Sequence, residues 1–154
     1  MYNERFYKAE FYERCLDEIT KKAKNKTILD RMEIVCRVLK QNMPYFFWVG
    51  FYLPKEGFLE LGPSMGPPAC DQIPFTGVCG QTAMNRKPII VPDVDKFPGH
   101  VICDPRSKSE IAMPVFNKAG EVTAVFDVDS ESLGSFDVTD QEWLGKILNE
   151  VFSV

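Results

Sequence analysis

The chain begins with two segments in which apolar residues recur every three or four positions. This spacing predicts helices over residues 3–23 and 27–42, because residues three and four apart share one side of a helix. The apolar positions are Phe6, Phe11, Cys15, Leu16 and Ile19 in the first segment, and Leu29, Met32, Val35, Cys36 and Leu39 in the second. Pro44 ends the second helix. Since Cys15 and Cys36 lie within these stripes, they are predicted to be buried structural thiols.

The pattern changes to alternation at "YFFWVGFYLP", residues 45–54, which is aromatic and β-branched and therefore predicts a strand. Alternation assigns Phe47, Val49, Phe51 and Leu53 to one face and Phe46, Trp48, Gly50 and Tyr52 to the other. Because glycine has no side chain, we expect an opening beside the large rings of Trp48 and Tyr52.

Four shorter segments predict further strands, and a last one predicts a helix. The strands are residues 58–62, 87–91, 110–116 and 121–128, and the helix is residues 139–152. The "NKAG" turn between the last two strands indicates a hairpin. In the closing helix, Thr139 and Glu142 have the spacing of a capping box.

Two segments between the strands have no apolar period. Residues 62–80 are rich in glycine and proline and predict a long loop, which in a compact domain is usually functional. A second loop contains "FPGHVICDPRSKSE", residues 97–110. The order of elements predicts an α+β fold, with an antiparallel sheet of about five to six strands and helices packed on one side. Residues 1–154 are predicted to form a single domain.

Composition narrows the class of protein. Apolar residues make up 45% and charged residues 26%, as in ordinary globular proteins. The net charge of −4 and the lack of a basic run argue against nucleic acid or an anionic membrane as a partner. The chain has no apolar run of about 18 residues and no signal peptide at its start. We therefore expect a cytoplasmic protein whose five cysteines are reduced at rest.

Three cysteines, Cys70, Cys79 and Cys103, lie in loop-like sequence beside glycine, proline or aspartate. Their spacing does not match paired zinc knuckles, because His100 and Cys103 form one pair and a second is missing. That pair also does not establish a cysteine–histidine nucleophile, since spacing alone shows no hydrogen bond. Three loop thiols fit a redox cycle in which one thiolate is oxidised and a second condenses with it to a disulfide. The alternative is that these three cysteines are free thiols that are exposed by accident and have no redox function.

Seven short motifs occur together in one order: "WVGFYL", "GPPAC", "GVCG", "VPDV", "FPGHVICD", "SEIAMPV" and "DVDS". With the three cysteines in their places, they resemble the free methionine-(R)-sulfoxide reductases, a catalytic branch of the GAF domains. The resemblance is strong over residues 45–137. Two segments, "SMGPPAC" and "IPFTGVCG", depart from the usual family pattern, and both lie in the loop that carries Cys70.

The resemblance implies a GAF-type fold whose active-site cavity is covered by loops. It implies thiol-dependent reduction of free L-methionine-(R)-sulfoxide, without a metal or an organic cofactor, and a homodimer. Cys103 resembles the attacking thiol, which becomes a sulfenic acid. Cys70 resembles the resolving thiol that forms a disulfide with it. Cys79 resembles an accessory thiol that relays the disulfide towards thioredoxin, the external reductant.

The resemblance also assigns the residues around the substrate. Trp48 and Tyr52 correspond to aromatic residues of the pocket, and Glu110, Asp127 and Asp129 correspond to acids that bind the substrate. Glu110 and Asp129 are in addition candidates to assist catalysis, because a sulfoxide oxygen leaves only once it is protonated. Without the resemblance, "DVDS" could equally be a strand end that caps a turn.

Two other functions fit the same sequence. A non-catalytic GAF module could bind a small molecule such as a nucleotide, because a fold does not determine a function. A peroxide-sensing thiol protein would use the same cysteines without a methionine product. The binding module, however, has no need of three loop thiols.

Overall fold

The computed structural model describes residues 4–154. Residue 3 and the side chain of Phe6, which the sequence analysis assigned to the first helix, lie outside this description. The helices are α1 (Glu4–Lys22), α2 (Ile28–Asn42), α3 (Val78–Asn85) and α4 (Val138–Phe152), with a short 3-10 helix at Val94–Lys96. The strands are β1 (Trp48–Pro54), β2 (Leu59–Met65), β3 (Gln72–Ile73), β4 (Ile89–Val91), β5 (Ser109–Phe116) and β6 (Val122–Ser130).

The six strands form one sheet in the order β3-β2-β1-β6-β5-β4. Every neighbouring pair is antiparallel. The predicted hairpin joins β5 and β6, where Gly120 supplies the positive φ of +80° that the turn needs. The α+β fold class, with its antiparallel sheet, is therefore confirmed.

The helices α2 and α4 cover one face of the sheet, α1 packs on both of them, and together they bury the main apolar core. Cys15 and Cys36 are 1% and 0% exposed within this core, so their prediction as buried thiols is confirmed. The described apolar positions that predicted α1 and α2 pack in this core, except Leu29, which is 56% exposed, so its assignment to the buried stripe was wrong. Within residues 4–154, no helix combines the length and the apolar character that crossing a lipid bilayer requires.

The start of α4 differs from the predicted capping box. Asp137 is the N-cap and its side chain accepts from the Thr139 N–H at 2.8 Å. The side chain of Asp140 accepts from the Asp137 N–H at 2.8 Å, which completes the box. The pairing of Thr139 with Glu142 was therefore wrong. An aspartate two residues earlier caps the helix, and buried partners hold Asp140 in place, whereas Glu142 is exposed.

The other face of the sheet carries α3, a helix that the sequence pattern does not predict. The predicted loop of residues 62–80 contains the end of β2, the short β3 and the first turn of α3. This helix has only eight residues, includes Gly80 and lacks a side-chain cap at Gly77, so its local signal is weak. Gly80 is needed for packing, because a Cβ there would lie 2.3 Å from the backbone of Phe75.

The residues of β1 alternate between the two faces as predicted, except before the strand begins. A second apolar cluster, here called the cavity-side cluster, lies on the face that carries α3 and includes Trp48, Tyr52, Val78 and Cys79, whereas Val49 and Phe51 belong to the helix-side core. Phe46 packs in the helix-side core and Phe47 against the cavity-side cluster, so these two assignments were wrong. The reason is that β1 starts only at Trp48, and the preceding turn does not alternate.

Candidate active site

A disulfide joins the two loops that carry the predicted redox thiols. Cys70 and Cys103, 33 residues apart in the chain, are bonded, with their Cα atoms 5.4 Å apart. Cys70 lies between β2 and β3, and Cys103 lies between β4 and β5, so the bridge connects loops from opposite edges of the sheet. Cys103 is exposed and Cys70 is half-buried. The pairing implied by the resemblance is thus present in the structure.

A cavity of about 610 Å³, including the space at its mouth, lies next to this bridge. The residues that line it include Trp48, Tyr52, Cys79, Cys103, Glu110, Asp127 and Asp129. Every site residue predicted from the sequence therefore borders this one cavity, except Cys70, whose sulfur is bonded to Cys103.

The sheet register brings three carboxyl groups together on the cavity face. Glu110 on β5 lies opposite Asp129 on β6, and Asp127 is two residues from Asp129 on the same strand face. Glu110 and Asp127 are 5% and 4% exposed. Oδ1 of Asp127 has no hydrogen-bond partner among the described residues. Among those that line the cavity, none is lysine or arginine.

Burial and mutual repulsion change the protonation of this cluster. Burial raises the pKa of Asp127 well above its usual value, and the nearby Asp129 and Glu110 raise it further. Burial likewise raises the pKa of Asp129, with added contributions from Glu110 and Asp104. These shifts favour the neutral carboxyl, which is the form that can donate a proton.

Cys79 and His100 both contact Glu110. The Cys79 thiol donates to Oε2 of Glu110 across 4.0 Å, and His100 Nε2 lies 3.6 Å from Oε1. Cys79 is 4% exposed, and burial, followed by the charges of Asp127, Glu110 and Asp129, raises the pKa of its thiol. The donor atoms of Cys79, Glu110 and Asp127 lie within 4.8 Å of one another, close enough to share one cation.

The aromatic wall of the cavity depends on a glycine. The rings of Trp48 and Tyr52 lie 6.0 Å apart. A Cβ at Gly50 would lie 2.5 Å from Cη2 of Trp48, so the indole occupies the space that the missing side chain leaves. The opening predicted beside these rings is thus filled by Trp48 itself. The Tyr52 hydroxyl donates to the carbonyl of Cys70 at 2.9 Å.

The loop that carries Cys103 packs closely against the loop that leads into α3. Gly99 has φ +82°, and a Cβ there would lie 2.6 Å from the carbonyl oxygen of Thr76. A Cβ at Gly77 would lie 3.0 Å from the Val101 side chain. The sequence pattern predicts neither this contact nor the contact of His100 with Glu110. The glycines on both sides were a signal of close backbone approach, but they do not identify the partner.

Comparison with known proteins agrees with this geometry. The family model of the GAF domain matches residues 26–151. "GAF domain-containing protein A" of Dictyostelium discoideum is 51% identical over 105 residues, which is 67% of this chain and 66% of that protein. "Free methionine-R-sulfoxide reductase" of Saccharomyces cerevisiae is 43% identical over 104 residues, 65% of this chain and 58% of that protein. The match thus spans less than two thirds of either relative.

Solved structures match over a larger share. The free methionine-R-sulfoxide reductase of Neisseria meningitidis, in complex with its substrate, superposes with a TM-score of 0.87 and 35% identity, over 98% of this chain and 89% of that one. The reduced form of the Staphylococcus aureus enzyme gives 0.86 and 34%, over 91% and 92%. The chain therefore belongs to the GAF domain family, in the group that includes the free methionine-R-sulfoxide reductases.

Proposed function

We propose that this protein reduces free L-methionine-(R)-sulfoxide to methionine with its own thiols. The single observation that carries the proposal is the Cys70–Cys103 bridge beside a cavity that combines an aromatic wall with three carboxyl groups. The names of the yeast and Neisseria relatives support the same activity. The domain of residues 1–154 would act as a single unit.

In the first step, the Cys103 thiolate attacks the sulfoxide. The sulfur–oxygen bond of the substrate breaks, the oxygen passes to Cys103 as a sulfenic acid, and the substrate sulfur is reduced to the thioether of methionine. A carboxyl group protonates the oxygen so that the bond can break. Glu110 and Asp129 are the proposed donors, because both line the cavity that Cys103 also borders.

In the second step, the Cys70 thiol condenses with the sulfenic acid of Cys103. A sulfur–sulfur bond forms, the oxygen leaves as water, and the product is the bridge present in the structure. A dithiol such as thioredoxin then reduces the bridge by thiol–disulfide exchange. The exposure of Cys103 supports direct attack by an external protein.

Selectivity for the free amino acid follows from the acidic side chains of the cavity, which have no lysine or arginine beside them in the part of the cavity lining that the structure describes. Asp127 lines the cavity and its Oδ1 lacks a partner, so this carboxyl group is the proposed acceptor for the ammonium group. A peptide has an amide in place of that ammonium, so it would leave the buried acceptor without its charged donor. Discrimination by unpaired buried groups is steep. Trp48 would contact the methyl-sulfinyl end.

Three further expectations stay predictions. A relay of the disulfide through Cys79 would need movement of α3, because this thiol is 4% exposed. A homodimer is implied by the family resemblance. A cytoplasmic location is supported by a cycle that consumes a thiol reductant.

The test is chiral product analysis. The protein is incubated with a mixture of free methionine-R- and S-sulfoxide and dithiothreitol, and each stereoisomer and methionine are quantified. We expect loss of the R form alone, together with methionine in many-fold excess over protein. Cys103→Ser should form no methionine, whereas Cys70→Ser should release one equivalent and then stall unless dithiothreitol attacks the sulfenic acid directly.

The alternatives are distinguished by this product analysis and by the intact-protein mass after sulfoxide or peroxide is added to reduced protein without dithiothreitol. A non-catalytic binding module would leave both isomers intact and would not lose two hydrogens in mass. A peroxide sensor would form the bridge with hydrogen peroxide and yet release no methionine from the sulfoxide. Either result would overturn the proposed activity.

A further inference from the structure

The hydroxyl group of Tyr52 contacts the loop that carries Cys70. Tyr52 could form the aromatic wall of the cavity without this contact. Its ring is 3% exposed and lies beside Trp48 in the cavity wall. Its hydroxyl donates to the backbone carbonyl of Cys70 at 2.9 Å. Because Tyr52 belongs to β1, a central strand of the sheet, this bond connects Cys70 to a rigid element.

The segment that carries Cys70 has few other anchors. Residues 67–70 are outside regular structure, and Pro67 and Pro68 have no backbone N–H. The bond from Tyr52 is the only hydrogen bond in the described part of the chain that reaches residues 67–70. The next anchor is the bond from the Leu61 N–H to the carbonyl of Asp71, at 2.8 Å. Without the bridge, the Tyr52 hydroxyl would therefore be the main polar restraint on Cys70.

We propose that the Tyr52 hydroxyl is a positioning group that holds Cys70 within reach of Cys103 while their disulfide forms. The role rests on the proposed function, and it concerns the second step of that reaction. Condensation of the Cys103 sulfenic acid with the Cys70 thiol forms the sulfur–sulfur bond and releases water. The rate of this step depends on how often Cys70 lies close enough to Cys103 to react. In the disulfide, the two Cα atoms are 5.4 Å apart.

The test variant is Tyr52→Phe, which keeps the ring and removes the hydroxyl. Reduced protein is mixed with one equivalent of methionine-R-sulfoxide and quenched with acid at intervals, and methionine and the intact-protein mass are measured in each sample. We expect the rate of disulfide formation, relative to methionine release, to fall about three- to tenfold, the usual effect of one lost hydrogen bond. The Cys103 sulfenic acid should accumulate and be trapped by dimedone.

A second arm does not depend on the substrate. Hydrogen peroxide oxidises the reduced Cys103 thiolate to the sulfenic acid and is itself reduced to water. The following condensation with Cys70 is then observed without methionine sulfoxide. If the wild-type protein forms the bridge with peroxide but releases no methionine from the sulfoxide, the proposed function fails while the role of Tyr52 is still measured.

Tyr45→Phe is the matched control. It also removes a phenol hydroxyl, one that donates to Asp140 on the helix side of the sheet. We expect this variant to lose stability without changing the ratio of the two steps. The inference is overturned if Tyr52→Phe condenses at the wild-type rate in the peroxide arm, or if Tyr45→Phe slows condensation equally.

Discussion

The protein buries acidic side chains in two regions, and their surroundings are opposite. Asp140, on the helix side, is 0% exposed and has a partner for each oxygen. Oδ2 accepts from Lys8 at 2.7 Å and from the Asp137 N–H at 2.8 Å, and Oδ1 accepts from the hydroxyls of Tyr12, at 2.7 Å, and Tyr45. This carboxylate has both a counter-charge and a complete set of donors.

Among residues 4–154, the cavity cluster has no lysine or arginine as a counter-charge, and its set of donors is incomplete. Glu110, Asp127 and Asp129 lie close together, the lining residues of the described chain include no lysine or arginine, and one oxygen of Asp127 has no partner. Buried polar groups without partners reduce stability, and they persist where a ligand or a reaction uses them. The difference between the regions indicates that Asp140 stabilises the fold, whereas the cavity acids reduce its stability, as expected of groups that serve the proposed function.

The largest expected effect separates activity from stability. Asp129→Asn removes a proposed proton donor, so kcat/KM for methionine-R-sulfoxide should fall by about 10²–10⁴. The free energy of unfolding should stay the same or rise, because a group that is costly to ionise has been removed. Both quantities are measured on one preparation, by product analysis and urea unfolding. Asp17→Asn, at an exposed ion pair with Lys21, is the control and should change neither.

Asp140→Ala should do the reverse. It leaves Lys8, which is 7% exposed, without its buried partner, and such losses cost about 3–5 kcal/mol. The reaction rate of the protein that remains folded should be close to wild type. Urea unfolding gives the loss, and the double variant with Lys8→Met should recover part of it. A loss below about 1 kcal/mol would contradict the contrast between the two regions.

Two glycines, one beside the cavity and one in a helix on the other face of the sheet, compare the same two regions through packing. Gly50→Ala places a Cβ 2.5 Å from Trp48 and 2.8 Å from the Cβ of Ser64, so it should cost about 1–3 kcal/mol and raise KM by displacing the indole. Gly145→Ala in α4 meets only the Met113 side chain, at 3.7 Å, and should stabilise the helix by about 0.5–1 kcal/mol. Equal effects on KM would show that Trp48 does not depend on Gly50.

The smallest effect is in the pH dependence of stability. Asp127 and Asp129 have raised pKa values in the folded protein, so their contribution to stability is fully present below the usual 3.8 and is lost as pH rises through the folded values. The stability of Asp129→Asn relative to wild type should therefore increase as pH is raised above 3.8. Urea unfolding of both proteins at a series of pH values checks this.

Asp137 should show the opposite dependence. Burial raises its pKa, but Lys8 and the Thr139 N–H outweigh burial, so the folded pKa is lowered. Its contribution to stability is present above the usual 3.8 and is lost as pH falls through the folded value. Asp137→Asn should thus be least harmful in acid. A common pH trend for Asp129→Asn and Asp137→Asn would contradict the comparison.

The fold was largely predictable because its signals are local. The three-and-four spacing of apolar residues predicted α1 and α2, and the alternation in β1 separated Trp48 and Tyr52 from the helix-side core. The helix α3 was missed, because its packing depends on the close approach of Gly80 to Phe75, which is a tertiary contact. The exchange of Phe46 and Phe47 has a different cause, because the alternating pattern does not show that β1 begins only at Trp48.

The site could be predicted only where residue types were sufficient. The family motifs named the thiols and acids, and the structure brings all of them to one cavity or its bridge. The hydrogen bond of Tyr52 with Cys70 and the contact of His100 with Glu110 join segments that are distant in sequence. No local pattern encodes such contacts, because they depend on how the loops fold over the sheet.

The position of the disulfide has one more consequence for how the protein would work. The disulfide covalently joins the loop between β2 and β3 to the loop between β4 and β5, next to the cavity. In the proposed reaction, a second sulfoxide would not react until a reductant had cleaved this bridge, because the sulfur of Cys103 would be occupied. The rate of turnover would then be limited by the supply of the thiol reductant rather than by the supply of methionine sulfoxide.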